Sequence, residues 1–208
     1  MTIAIHGPAA SSYVRTARMT CIEKGLAHTL EPVDFGTDAH AGLHPWKRVP
    51  ILRHGDVTLY ETSAIIRYLD EVGTGPSLLP ATPTARATME QWISAINCYI
   101  YDTLIRSYAL KYVVPRIAGR DPDPEQIRAG VPNMERDVAR LDGAYARHAY
   151  IAGDAPSLAD LLVAPIVQTV SMFPEGKRAV SAAGNLSRAY AKLSARPAFE
   201  AVHAGLFG

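Results

Sequence analysis

Cysteine is scarce in this chain of 208 residues: there are two, at positions 21 and 98. Two thiols cannot staple a scaffold, and their separation has no metal-ligand spacing, so both read as buried, inert thiols inside helical patterns, and no metal is expected. A dominant charge is also missing. Twenty-one basic against 20 acidic residues leave a net +1, which excludes the basic footprint of a nucleic-acid binder or of a protein held on anionic lipid. No run of about 18 apolar residues occurs, so no membrane-spanning helix is expected. The start, MTIAIHGP, lacks the charged, apolar and small-residue zones of a signal peptide, and the expected compartment is the cytoplasm. What is present is an apolar fraction of 48%, enough for one large core or two small ones.

The most informative stretch runs from His44 to Leu69, HPWKRVPILRHGDVTLYETSAIIRYL. Val49 to Leu52 is a short β-type run entered through Val49-Pro50. It turns at His54-Gly55-Asp56, returns as Val57 to Tyr60, and halts at Glu61-Thr62-Ser63 before a helical pattern, so it reads as a hairpin feeding a helix. A proline at a strand head donates nothing to the ladder, and X-Pro bonds adopt cis at modest cost. Val49 is thereby free to turn its backbone N–H and C=O toward a ligand. Glu61, Thr62 and Ser63 place hydroxyls and free N–H groups at a helix start, a setting suited to a carboxylate, with Glu61 available to an ammonium. One peptide-like ligand fits between the two ends.

Around this stretch the order is strand (Thr2 to His6), helix opened by Ser11-Ser12, weak strand (Thr29 to Asp34), loop or irregular helix (Gly36 to His44), hairpin, helix (Ser63 to Val72). That is βαβ followed by ββα, a small mixed sheet with helices on its faces. GTGPSLLPATPT then breaks the pattern, and strand signals cease. The expected domains are 1–73, a linker at 74–84, and an all-helical unit at 85–208. In the last, Ala85 to Ala118 reads as one long helix with Pro115 in its final turn. A second helix is clearest from Asn133. Ser157-Leu-Ala-Asp160 is a capping-box start, and Leu186 to Ser194 and Ala198 to Ala204 are two short helices.

Several motifs together resemble those of the cytosolic glutathione transferases. HPWKRVPIL is similar to the family's Asn-Pro-x-Gly-x-Val-Pro-x-Leu, YETSAIIRYLDE to its Glu-Ser-x-Ala-Ile-x-x-Tyr-Leu, YIAGDAPSLADLLVAP to its Gly-Asp-x-x-Ser-x-Ala-Asp segment, and ARPAF to its C-terminal Arg-Pro signature. GPAASSYVR resembles the Gly-x-x-x-Ser-Pro-Tyr-Val-Arg start of serine-type members, phi- or theta-like or of a related bacterial class. The resemblance implies a thioredoxin-like α/β domain followed by an all-α domain, glutathione as co-substrate, a hydrophobic electrophilic small molecule as second substrate, a role in detoxification and a homodimer. It aligns the catalytic serine with Ser11. It also puts His6 where tyrosine-type members carry their tyrosine, so that mechanism is not expected.

On the same resemblance, Val49 with Pro50 pairs with the cysteinyl backbone of glutathione, Glu61 and Thr62 hold its γ-glutamyl end, and His40 and Arg48 face its glycyl carboxylate. The electrophile is expected between the domains, beside Ala9 and Ala10; Trp92, Tyr99, Tyr101, Tyr108 and Tyr112 are aromatic candidates, but aromatics at helical spacings are more often core, and none of them is assigned as a substrate ligand. The chain departs from the pattern at His44 for asparagine, Lys47 for glycine and Thr62 for serine. Lys47 is awkward if the glycine serves a positive φ. From spacing alone, Ser11 or Ser12 is equally a plain helix cap, and His40 and Arg48 a solvated surface. Two other functions stay open. A maleylacetoacetate-type isomerase has a Ser-Ser-Cys-x-x-x-x-Arg start like Ser11-Ser12 and Arg18, although Tyr13 replaces the cysteine. The third is a non-catalytic binding module of the same fold.

Overall fold

Strand alternation at the N-terminus decides the first layer. In β1 (Ile3–His6) the two-residue period turns Ile3 and Ile5 to one face, where they are buried, and Ala4 and His6 to the other. Helices α1 (Ser12–Glu23) and α3 (Thr62–Val72) cover the isoleucine face. There Ile3, Ile5, Val14, Ala17, Leu52 and Leu69 form one core. The sheet order is β2-β1-β3-β4, with β2 (His28–Glu31) parallel to β1, and β3 (Ile51–His54) and β4 (Val57–Tyr60) forming the antiparallel hairpin. The expected βαβ-ββα order is therefore present. The segment read as loop or irregular helix contains α2 (Asp38–Leu43), which Thr37 caps by accepting from the His40 N–H at 3.2 Å.

The computed structural model describes residues 2–204 and divides into two units. One ends at Leu79 and takes back the chain from Ala195; the other is Pro80–Ser194. Both boundaries differ from those read in the sequence, and the reason is a set of polar contacts on α1. Lys24, just past α1, pairs with Asp70 of α3 at 2.9 Å and also donates to the carbonyls of Gly75 and Pro76. The Leu78 N–H donates to the same Asp70 oxygen. Gly73 and Gly75 are the residues that permit this close approach: a Cβ on Gly73 would stand 2.4 Å from the Lys24 Cβ, and one on Gly75 2.2 Å from the Glu23 carbonyl. The Gly/Pro-rich stretch up to Leu79 is thus packed chain rather than free linker.

The C-terminal helix belongs to this first unit for a similar reason. Ahead of α10 (Pro197–His203), Arg196 forms a two-pronged bond to Glu23, Nε at 2.7 Å and Nη2 at 2.6 Å. The fully buried Arg15 of α1 meets Nε2 of His203. Arginine only donates, so that Nε2 is an acceptor and the ring proton sits on Nδ1, which donates to the Phe199 carbonyl at 2.7 Å. Burial, aided by Arg15, holds the imidazole down to about 4 against the Phe199 bond. A folded-state value below the unfolded one means that the unfolded chain takes up the proton first as pH falls. Stability is therefore intact above about 6.5 and is lost progressively toward 4. The ring is partly exposed, and with solvent screening we expect about 1–2 kcal/mol. Urea unfolding at neutral pH and near pH 4.5 checks this: the pH-dependent loss should shrink by that amount in His203→Gln.

The second unit is all-helical, as expected, but its elements differ in detail. The long helix read from Ala85 begins as α4 (Pro83–Ala95), widens into π-helical turns at Ile96–Ile100 and Asp102–Ala109, and ends as α5 (Leu110–Ile117). Cys98, in the first π-helical segment, is exposed, against the reading of both thiols as buried; Cys21 is buried and its thiol is pushed up to about 12 by that burial. Helix α6 (Pro124–Ala144) starts nine residues before Asn133 and runs through Gly130 and Pro132. Gly130 acts there as a contact surface: a Cβ would lie 2.4 Å from the Ser107 carbonyl. Helix α7 (Leu158–Ser171) carries the capping box foreseen at Ser157 and Asp160. The buried Asp160 carboxylate also accepts from the Tyr145 hydroxyl and the Ile151 N–H, both at 3.0 Å. After it come α8 (Pro174–Ala182), which the sequence reading lacked, and α9 (Gly184–Ser194).

Candidate active site

Three chain segments of the first unit meet at the C-terminal end of β1. Gly7 joins them: at φ +141 it turns the chain out of the strand, and a Cβ there would lie 2.6 Å from Val14 of α1 and 3.0 Å from the Val49 side chain. Only glycine lets the start of α1 and the turn before β3 come so close. Ser11 is the N-cap of α1, with extended backbone, and its hydroxyl oxygen accepts from the Val14 N–H at 3.4 Å. That use as a cap occupies one lone pair and leaves the O–H free to donate, so capping and thiolate stabilisation are compatible. Ser12 is the first helical residue and 4% exposed, with its carbonyl taken by the Thr16 hydroxyl.

On the facing segment, the Val49-Pro50 bond is cis, as anticipated from the sequence. Pro50 is buried and Val49 half-buried. Glu61 sits between β4 and α3 at φ +69, a backbone state uncommon for a residue with a side chain, and costs of order 1–3 kcal/mol are typical of such positions. Strain of this kind is retained where the surroundings demand it, and here it falls at the N-cap of α3, where the exposed Glu61 makes no side-chain capping bond. Thr62, next to it, is buried at the head of that helix. Lys47 has φ +49, so it does occupy a position suited to glycine; its ammonium donates to the Gly36 carbonyl at 2.8 Å.

His40 departs from the surface reading. It lies on α2, only 2% exposed, and its Nε2 donates to the Arg48 carbonyl at 3.0 Å, while Nδ1 is buried with no partner among the described residues. It thus holds the backbone leading into Val49, and the Arg48 side chain remains exposed. His44, noted in the sequence only as a departure, is central. It is buried, lies with its ring 4.9 Å from that of Tyr60 at a tilt of 35°, and accepts from the Trp46 N–H at 3.2 Å. Burial lowers its imidazole below the usual value, Glu61 opposes that shift, and His40 and Arg48 add to it. The ring therefore feels three of the anticipated ligand residues at once. The aromatic candidates Trp92, Tyr99, Tyr101, Tyr108 and Tyr112 all lie in the other unit. Tyr108 and Tyr112 are engaged there with Glu175, at 3.0 and 2.7 Å.

The sequence model described as "Glutathione S-transferase, N-terminal domain" matches residues 10–72, and "Glutathione S-transferase, C-terminal domain" matches residues 105–197. Glutathione S-transferase 3 of Zea mays is 30% identical over 200 residues, 93% of this chain and 89% of its own. The chain belongs to the glutathione S-transferase family. Another relative within it, glutathione S-transferase F9 of Arabidopsis thaliana, is 28% identical over 208 residues, 96% of this chain and 95% of its own. The solved apo structure of glutathione S-transferase III superposes with a TM-score of 0.88 at 28% identity, across 100% of this chain and 98% of that one. The first of the two matched segments contains the cap serine, the cis proline turn and the strained glutamate. Among the described residues no helix is long and apolar enough to cross a membrane.

Proposed function

We propose that this glutathione transferase binds glutathione on its first unit and activates the thiol through the hydroxyl of Ser11, for attack by the thiolate on an electrophilic carbon of a hydrophobic small molecule. The observation that carries this is the Ser11 cap itself, a hydroxyl with a free proton at the positive end of α1. A thiol with pKa near 8.5 is a few per cent thiolate at neutral pH. Lowering it by about two units takes roughly 2.7 kcal/mol. A hydrogen bond to a charged acceptor supplies about 1.5–3 kcal/mol and a helix N-terminus about 0.3–1 more, which meets the demand without ionising the serine. The attack forms a carbon–sulfur bond, and the leaving group departs with the electron pair or the electrophilic double bond takes it up.

In this reading the backbone of Val49, turned by Pro50, pairs with the cysteinyl residue of glutathione. Glu61 and Thr62 take the γ-glutamyl ammonium and carboxylate, and Arg48, on the backbone steadied by His40, faces the glycyl carboxylate. Retention on immobilised glutathione tests the binding half directly, with specific elution by the free peptide; Glu61→Gln should weaken retention about tenfold or more, because a charged partner of an ammonium is lost. Failure of the parent chain to bind would leave only a non-catalytic module of this fold.

The finer assignments are a cytoplasmic location, a role in detoxification and a homodimer. Support for the last comes from Trp46, 66% exposed, with its ring 5.8 Å from that of the half-exposed Tyr60, an apolar surface of the kind that partners cover. Sedimentation at micromolar concentration should give about twice the 22.5 kDa chain mass, and a single-chain species would refute the dimer.

A further inference from the structure

The segment that leads into Val49 is organised by His44, which is tied in both through its backbone and through its ring. Its N–H donates to the His40 carbonyl at 2.9 Å, ending α2, and its own carbonyl accepts from the Lys47 N–H at 2.8 Å. Its Nδ1 accepts from the Trp46 N–H at 3.2 Å. These bonds fold residues 44–47 into a tight turn, and Lys47, at φ +49, passes the chain on to Arg48 and Val49. On its other side the ring lies 4.9 Å from that of Tyr60, the residue before Glu61. His44 thus touches both arms of the glutathione grip, and at 2% exposure it does so from the interior. The Trp46 bond also fixes the state of the ring. A backbone N–H only donates, so Nδ1 carries the lone pair and the proton sits on Nε2. A second proton can enter only at Nδ1, where it ends the bond, sets two N–H groups against each other and leaves a full charge on a buried ring.

We propose that His44 is a positioning residue for glutathione, shaping the turn before Val49 only while its Nδ1 remains an acceptor, so that affinity for the peptide falls as the solution turns acidic. The inference rests on the glutathione reading above and adds to it a control of that site by protons. The groups around the ring are Glu61 at the head of α3, Tyr60 at the end of β4, His40 on α2 and Arg48 on the approach to β3, while the Lys47 ammonium is turned to the Gly36 carbonyl. Burial holds the His44 imidazole below its ordinary value; Glu61 opposes that shift, and His40 and Arg48 add to it. The ordered turn therefore favours the neutral ring, and a proton favours the opened turn. A ligand that needs the ordered turn binds most tightly above about pH 6.5 and more weakly below it, by at most about tenfold per pH unit for one linked proton. Asparagine at this position would set an amide oxygen where Nδ1 stands, the same acceptor with no proton to take up.

The test has two readouts. Calorimetry with S-methylglutathione, which has no thiol to ionise, gives Kd at pH 7.5 and pH 5.0 for the parent, His44→Asn and His44→Leu. Between the two pH values the parent should weaken about threefold or more. His44→Asn should match the parent at pH 7.5 within about twofold and change less than about twofold at pH 5.0. His44→Leu, with no acceptor at any pH, should bind about fivefold or more weakly even at pH 7.5. The second readout is the backbone amide signal of Trp46 in the ligand-free protein, labelled with 15N at its two tryptophans and assigned by its loss in Trp46→Phe. It should titrate with a midpoint below about pH 6.5 in the parent and stay flat in His44→Asn. The proposal is overturned if His44→Asn loses affinity with acid as the parent does, or if the Trp46 amide of the parent does not titrate. A parent that fails to bind at pH 7.5 would instead refute the glutathione reading, and the amide titration then decides whether His44 holds the turn.

Discussion

Replacing Ser11 with alanine is expected to raise the apparent pKa of bound glutathione by about one to two units and to slow turnover at neutral pH by about ten- to a hundredfold, the equivalent of roughly 1.4–2.7 kcal/mol. Turnover should recover as pH rises toward the new value, because the thiolate then forms without help. Glutathione affinity should change less, since Val49, Glu61 and Thr62 grip the peptide elsewhere. The same variant loses the cap bond to Val14, so a stability loss of about 0.5–1 kcal/mol accompanies it. Ser12→Ala is the control: Ser12 is inside the helix rather than its cap, and both thiolate titration and stability should stay near those of the parent. Thiolate absorbance of the binary complex against pH decides the matter without a known electrophile. If Ser12→Ala shifts the titration and Ser11→Ala does not, the donor is one residue along; if neither does, the serine-type assignment fails.

The largest expected stability effect lies at Lys24. Its ammonium spends all three protons inside the first unit, on Asp70 and the carbonyls of Gly75 and Pro76, with both members of the ion pair 3% exposed. Lys24→Met leaves the Asp70 charge buried and uncompensated and should cost about 3–5 kcal/mol. For a chain of this size that is a fall in melting temperature of roughly 6–20 °C. Adding Asp70→Leu removes the stranded charge, and the double variant should regain much of the loss, even though the Leu78 N–H then lacks its acceptor. Chemical unfolding of the two single variants and the double one measures this coupling. A loss below about 1 kcal/mol in Lys24→Met would mean that water reaches the pair and that the connector is held by packing alone.

What the chain determines by itself are the features carried by local spacing. The strand period at Ile3 and Ile5, the hairpin turn before Val57, the cis-compatible Val49-Pro50, and the Ser157 and Asp160 cap each depend on residues a few positions apart, and each formed as read. The position of Ser11 at a helix start was legible for the same reason, whereas a glycine-like conformation at Lys47 was raised only by the family resemblance, and the structure has it at φ +49. Everything that failed to show depends on partners far away in sequence. Gly130 and Pro132 read as breakers because the Ser107 backbone that needs the missing Cβ lies on another helix. The stretch after Gly73 read as linker because Lys24 is some fifty residues earlier. The last helix was assigned to the second domain because Glu23 and Arg15, which hold Arg196 and His203, stand at the other end of the chain. His40 read as a ligand of the glycyl carboxylate or, equally, as solvated surface, and His44 as a mere departure, because burial is a property of what folds over a residue, and only the tertiary structure brings Glu61, Arg48 and Tyr60 around the His44 ring.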